Sequence, residues 1–241
     1  MFEGIERKIR FRKELRCFKK ALSKNGNFRI SRLQPILKER TKQSGSLPKH
    51  YFHQDLHVAN RIHSNKPEKH VDIGSRIDGF VAHVASFREI EVFDIRALDH
   101  KIKNIEFKQV DFSDPALKLE DYCDSISSLH AIEHFGLGRY GDPIDVDGHL
   151  KGLDNILRVL KPGGIFYFSI PIGPQRVEFN AQRVFSIQYL LDLFKEKYKI
   201  EHFSYESDDR QFHPHVPLDE KEIKRNYGCQ FGCGIFELSK L

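Results

Sequence analysis

The 241-residue chain contains no tryptophan and only four cysteines. Cys17, Cys123, Cys229 and Cys233 are too few and too scattered for a disulfide framework, so a reducing cytoplasm is the expected setting. No run of about 18 apolar residues exists, and therefore no transmembrane segment is expected. A signal-peptide core is also missing, because the N-terminal hydrophobic residues alternate with Lys and Arg. No internal repeat and no low-complexity stretch appears. What is present, 39% hydrophobic and 30% charged residues, suits a soluble globular protein with one sizeable core and a modest extension.

The net charge of +5 is unevenly spread. Residues 1–50 carry 15 Lys+Arg against 4 Asp+Glu, a balance of +11, and the remainder is −6. Within this basic part, Phe2, Ile5, Ile9, Phe11, Leu15, Phe18 and Leu22 recur mostly three or four apart, the spacing of a helix. The expectation is a helix docked on the main domain by this stripe. A membrane-surface helix is the sharper alternative, disfavoured because the stripe lacks Trp and is sparse. Asn25-Gly26-Asn27 should end the helix, and Ser44-Gly45-Ser46-Leu47-Pro48 reads as a linker. The chain thus divides into a basic helical extension, 1–48, and a main domain, 49–241.

The main domain alternates. Residues 50–64 predict a helix that Pro67 stops. Strands are predicted over 69–74, 90–95, 105–111, 123–129 and 165–170, with helices over 78–87, 148–160 and 186–197. Strands over 198–206 and 233–239 complete the series. Strands alternating with helices imply an α/β fold with a mostly parallel, doubly wound seven-stranded sheet.

In such a sheet, ligands sit beyond the carboxyl ends of the strands, at the switch point. The residues there are Asp72-Ile73-Gly74-Ser75-Arg76, then Asp94-Ile95, then Asp111-Phe112. Gly74 lets a ligand approach the backbone. Asp94 is placed to accept from two ribose hydroxyls, with Ile95 against a purine face. Asp111 could accept from an adenine amino group, with Phe112 in the same slot. A dinucleotide would want G-x-G-x-x-G, and its second glycine falls at Arg76, which disfavours an NAD-dependent oxidoreductase. S-adenosyl-L-methionine carries adenosine without phosphate and does not need that approach. Asp72 could serve its methionine end.

Further along come Ser128-Leu129-His130-Ala131-Ile132-Glu133-His134 and Leu157-Arg158-Val159-Leu160-Lys161-Pro162-Gly163-Gly164. With Asp72-Ile73-Gly74, Asp94 and Val110-Asp111, this order resembles the class I S-adenosylmethionine-dependent methyltransferases over about residues 69–171. The resemblance implies a Rossmann-like methyltransferase fold and that cofactor. Asp72, Gly74, Ser75, Arg76, Asp94, Ile95, Asp111, Phe112 and His130 are its expected contacts. Arg76 departs from the pattern, since a third glycine is usual there. It could reach the methionine carboxylate or salt-bridge Asp78. The segments from Asp72 to Arg76, His130 to Pro143 and Tyr227 to Lys240 are similar to an uncharacterised methyltransferase-like family. Bacterial members of that family often sit among surface-polysaccharide genes, which implies a role in polysaccharide biosynthesis.

Methyl transfer to a hydroxyl needs alignment and a general base. Glu133 and His134 are the acid–base candidates, with His215 an alternative. The glycine-rich loop 136–149 is expected to bind substrate, Arg139 and Tyr140 holding a phosphate or sugar. His213 and His215 lie in a second polar loop, which is expected to act as a lid or to bind the acceptor, with His213 at the substrate; as a metal signal the pair is weak, so no metal is expected. Asp142, Asp145 and Asp147 do not form the twelve-residue calcium loop, and Asp147 is more simply a helix N-cap. The expected acceptor is a small molecule or carbohydrate. A nucleic-acid methyltransferase using the basic extension is disfavoured, because no aromatic–basic interleaving typical of RNA modules is seen. A non-catalytic module that keeps the pocket is the other alternative. The sequence leaves a homo-oligomer open.

Overall fold

The structure is a computed structural model that describes residues 2–25, 27–45, 47 and 49–241. The helix stop at Gly26, the linker residues Ser46 and Pro48 and the side chain of Phe2 lie outside the described residues. The chain divides into two units, Met1–Leu47 and Pro48–Leu241.

The first unit holds one helix, α1 (Phe2–Asn25), followed by chain without regular structure. Its apolar residues do not form a single stripe. At about 100° per residue, Ile5 and Ile9 point roughly 130° away from Phe11, Leu15, Phe18 and Leu22. Ile5, Ile9 and Phe18 are more than half exposed.

The second unit opens with α2 (Tyr51–Asn65) and β1 (His70–Ile73). A π-turn (Ile77–Val81) leads into the short α3 (Ala82–Ala85), then β2 (Ile90–Asp94), β3 (Ile105–Gln109) and β4 (Cys123–Leu129). After a single 3-10 turn (Ile132–His134) come α4 (Gly148–Val159) and β5 (Leu160–Ile172). A hairpin, β6 (Arg176–Glu178) with β7 (Gln182–Val184), precedes α5 (Ile187–Phe194) and β8 (Tyr198–Glu206). The chain ends with β9 (Phe212–His213), α6 (Glu220–Lys224) and β10 (Gly232–Lys240).

The sheet runs β3-β2-β1-β4-β5-β10-β8-β9. The first five strands are mutually parallel, and β10 is antiparallel to both its neighbours. It has eight strands rather than the expected seven, because the two residues of β9 add an edge beside β8. Order reverses between β1 and β4, and this places a crevice at their carboxyl ends.

β1 is buried at all four positions because helices cover both faces. One face carries Val71, Ile73, Ile126, Phe166 and Phe168 under α4 and α5. The other carries Val92, Tyr167 and Ile235 under α2 and α3. Leu153, Ile156 and Val159 put the i, i+3, i+6 row of α4 inward. Val58 and Ile62 do the same for α2, each fully buried and worth about 2 kcal/mol. Arg61 locks α2 to β10 through a bidentate bond to Glu237, at 2.7 and 3.0 Å. The carboxyl edge is therefore framed by α2 on one side and α4 on the other.

Candidate functional site

β1 ends in a turn built on Gly74, whose φ is +73°. Its N–H donates to the Phe93 carbonyl at 2.8 Å. A Cβ here would lie 3.0 Å from the Ala131 Cβ, so a side chain would be strained and would crowd the crevice. Asp72 sits beneath the turn and is fully buried. Its carboxylate accepts from the Ser75 N–H at 3.0 Å, the Ser75 hydroxyl at 2.8 Å and the Ser127 hydroxyl at 2.6 Å. Burial outweighs these bonds and pushes its pKa up to about 7. Asp72 was expected at the ligand, but the turn takes up its carboxylate and it does not line the crevice. Ser75 lines it, with its hydroxyl held by Asp72.

Arg76 has φ −68° and ψ 131°, ordinary extended backbone that needs no glycine. Of its two expected roles, the structure has the ion pair: its guanidinium grips Asp78 at 2.8 and 3.0 Å, with both side chains largely exposed.

A narrow slot opens beside the turn. Phe93, Ile95, Val110, Phe112, Ala131 and Phe135 supply its apolar walls, and Asp94 and Asp111 stand among its lining. Asp94 ends β2 and is gripped by Arg96, whose backbone N–H, Nε and Nη2 donate at 2.8, 2.9 and 2.6 Å. The Arg96 guanidinium also lies 4.4 Å above the Tyr140 ring. Asp111 falls past β3, which ends at Gln109, and not on the strand. It accepts from the Ser113 N–H at 2.8 Å and hydroxyl at 2.6 Å, closing a turn.

After β4, the 3-10 turn brings His130, Glu133 and His134 together. His130 has φ +51° and donates from Nδ1 to Glu133 Oε1 at 2.9 Å. Burial disfavours charge on both. The Glu133 carboxylate nevertheless holds the His130 pKa well above the usual histidine range, and His130 holds Glu133 low. His130 Nε2 and Glu133 Oε2 are buried without a hydrogen-bond partner. His130 stacks on His50 at 5.2 Å and meets Tyr51 at 5.3 Å.

His134 lines both the slot and the wider mouth beside it. Its Nδ1 lies 2.7 Å from the Ala181 carbonyl, which can only accept, so Nδ1 carries the hydrogen. Nε2 is then the free lone pair, 3.7 Å from Glu133 Oε1. Burial lowers the His134 pKa, so the ring is neutral at pH 7.

The wider mouth is lined by Lys49, His50, Tyr51, Arg76, Arg96, Arg139, Tyr140 and Gln182, among others. Arg139 donates to the Ala181 carbonyl at 2.8 Å, and Tyr140 stands edge-on to His134 at 5.4 Å. Asp142 holds this loop, accepting from Gly136 and Gly138 N–H at 2.8 and 3.1 Å and from Tyr140 N–H at 3.2 Å. Asp145 accepts from the Asp147 N–H and pairs with Lys151. Asp147 occupies the N-cap position of α4, but its side chain makes no capping bond. Among the described residues, no group of three or more His, Cys, Asp or Glu is arranged to hold a metal.

His215 and His213 lie outside both clefts. His215 is exposed and meets His57 and His202 at 5.3 and 4.4 Å, while His213 stacks on Tyr205 at 4.4 Å. β9 pairs with β8, and that pairing carries their loop to the sheet edge, away from His134.

Sequence reasoning missed Arg96, His50, Gln54 and Arg183. Arg183 is buried and ties the Phe135 carbonyl at 2.6 Å to the Val146 carbonyl at 3.2 Å, joining the turn to the substrate-side loop. Gln54 and Asp55 continue the buried face of α2 toward the crevice. Polar residues on the inward row of an otherwise apolar helix were the signal available for them.

The architecture is shared with solved methyltransferases. A 1,6-didemethyltoxoflavin-N1-methyltransferase of Burkholderia thailandensis, solved with S-adenosylhomocysteine, superposes with a TM-score of 0.55 over 78% of each chain at 16% identity. The N-methyltransferase NodS of Bradyrhizobium japonicum, in complex with the same molecule, gives 0.51 over 80% of this chain and 88% of that one at 12% identity. The fold is therefore the Rossmann-like fold of class I methyltransferases. Residues 77–228 match the family described as Caenorhabditis protein of unknown function, DUF268, and the chain belongs to that family. No curated protein matches the chain.

Proposed function

We propose that this protein is an S-adenosylmethionine-dependent methyltransferase acting on the hydroxyl of a small or carbohydrate-type acceptor. The observation that carries the reading is the apolar slot bounded by Gly74, Asp94 and Asp111, beside two buried polar atoms that lack partners. Its residues suit an adenosine group: flat apolar walls for a purine, and carboxylates for a sugar and an exocyclic amine. Gly74 would give the close backbone approach, and Ser75 and His130 would border the methionine end.

The cofactor, when bound, supplies an electrophilic methyl group. The chain's own residues would align the acceptor and take its proton. His134 Nε2 is the base this reading favours, because the Ala181 carbonyl fixes the opposite tautomer and low basicity keeps the ring neutral. Glu133 stays ionised, orients His130 and faces His134, so that a proton arriving on Nε2 is met by a carboxylate. Arg139, Tyr140, Lys49 and Gln182 offer donors and a ring face for a sugar or its phosphate, which supports a nucleotide sugar or polysaccharide precursor as acceptor. The link to surface polysaccharide rests on the motif resemblance alone.

The test is incubation of the full chain with methyl-labelled S-adenosylmethionine and a panel of nucleotide sugars. Label in a product, with S-adenosylhomocysteine released, is expected, and His134→Gln should abolish it. Cofactor binding without transfer to any acceptor would favour the non-catalytic reading, for which the occupation of Asp94 by Arg96 speaks.

A further inference from the structure

We infer that the unit Met1–Leu47 docks on an anionic lipid surface. Two observations that are independent of the cleft carry this. The first is apolar surface that the unit does not bury within itself. On α1, Ile5, Ile9 and Phe18 are 54%, 59% and 58% exposed. In the irregular chain that follows, Phe28, Leu33 and Ile36 are 83%, 53% and 62% exposed, with Ile30 at 36%. Single exposed hydrophobic residues are ordinary, but this many within one short unit imply a partner.

The second is charge. Residues 1–47 hold 14 Lys+Arg and 4 Asp+Glu, so four acids face fourteen cations. Two acids pair locally, Glu3 with Arg7 and Glu14 with Arg40. The basic residues interleave with the exposed apolar ones: Arg29 and Arg32 alternate with Phe28, Ile30 and Leu33.

One class of partner accepts both properties at once. Anionic headgroups take the cations, and the acyl boundary takes Ile, Leu and Phe side chains. RNA would take the charge, but single strands are held by stacking on aromatic rings, and the exposed side chains here are mostly aliphatic. The absence of Trp, which weighs against α1 acting alone, matters less once the segment 28–36 adds its own apolar residues.

The test is flotation of the full chain with phosphatidylcholine vesicles, with and without phosphatidylserine. Binding is expected only with phosphatidylserine, and high salt should release it. Removing Arg29 or Arg32 should weaken binding about five-fold each. The triple variant Phe28→Asp, Leu33→Asp, Ile36→Asp lies on exposed positions and should weaken it at least about ten-fold. Charge reversal by Arg29→Glu with Arg32→Glu gives a second handle that leaves the apolar residues alone. Failure to bind, equal binding to neutral vesicles, or full binding by the triple variant would overturn the inference. Capture of an RNA oligonucleotide with no vesicle binding would replace it with a nucleic-acid surface.

Discussion

Replacing Arg96 with alanine isolates one interaction in the cleft. In the structure, both Asp94 oxygens are engaged by the Arg96 guanidinium, at 2.9 and 2.6 Å. If Asp94 accepts ribose hydroxyls, the ligand must compete with that guanidinium. The Asp94 carboxylate is mostly covered, but the Arg96 side chain is 49% exposed, so solvent already screens the pair. A half-exposed ion pair contributes roughly 0.5–1 kcal/mol. Relieving it should tighten binding by about two- to five-fold, since a tenfold change corresponds to about 1.4 kcal/mol. The Arg96 N–H bond to Asp94 survives in Arg96→Ala and keeps the carboxylate oriented. Calorimetric titration with S-adenosylhomocysteine reads the change directly. Binding weakened ten-fold would refute the reasoning, because Arg96 would then be a ligand contact rather than a competitor for Asp94.

Four other outcomes follow from the same geometry. His134→Gln should lower kcat by roughly 10²- to 10⁴-fold, the usual range for a general base, while cofactor affinity stays within about two-fold. Because burial lowers the His134 pKa, the wild-type acid limb in kcat should fall below pH 6.5, with activity flat at neutral pH; a limb centred above 7 contradicts this. Asp72 has a native pKa of about 7 against an ordinary 3.8, so the native state binds more protons between those values and stability falls as pH rises through them. The melting temperature of Asp72→Asn, measured relative to wild type, should therefore improve from pH 5 to pH 8, and the opposite trend would remove Asp72 from this role. Gly74→Val forces a branched residue to φ +73° against Ala131, and should abolish cofactor binding as well as lower the melting temperature.

Much of the fold was legible because its signals are local. The β4 and β8 boundaries, 123–129 and 198–206, coincide with the observed strands, since buried runs bounded by turns have little alternative. The strand predicted over 165–170 begins earlier: β5 starts at Leu160 and runs through Lys161-Pro162-Gly163-Gly164, with a register shift across from Cys123 and Ser125 absorbing the extra residues. The β6–β7 hairpin left no readable pattern, because three-residue strands show too little alternation.

At the site, the acids were found because they stand at or just beyond the carboxyl ends of strands, which topology alone brings together. What those acids hold was not visible: the arginine on Asp94 is two residues away, and one of the two hydroxyls on Asp72 comes from β4, 55 residues on. His215 misled for the same reason, since a polar loop shows its composition but not the edge strand that carries it away.

The most direct measurement is a calorimetric titration of the full chain with S-adenosylmethionine. The account predicts saturable one-to-one binding in the micromolar range, weakened at least about ten-fold in Asp94→Ala, where charge-assisted hydrogen bonds worth about 1.5–3 kcal/mol are lost. No binding by protein whose melting transition is cooperative, or binding unchanged in Asp94→Ala, would contradict it.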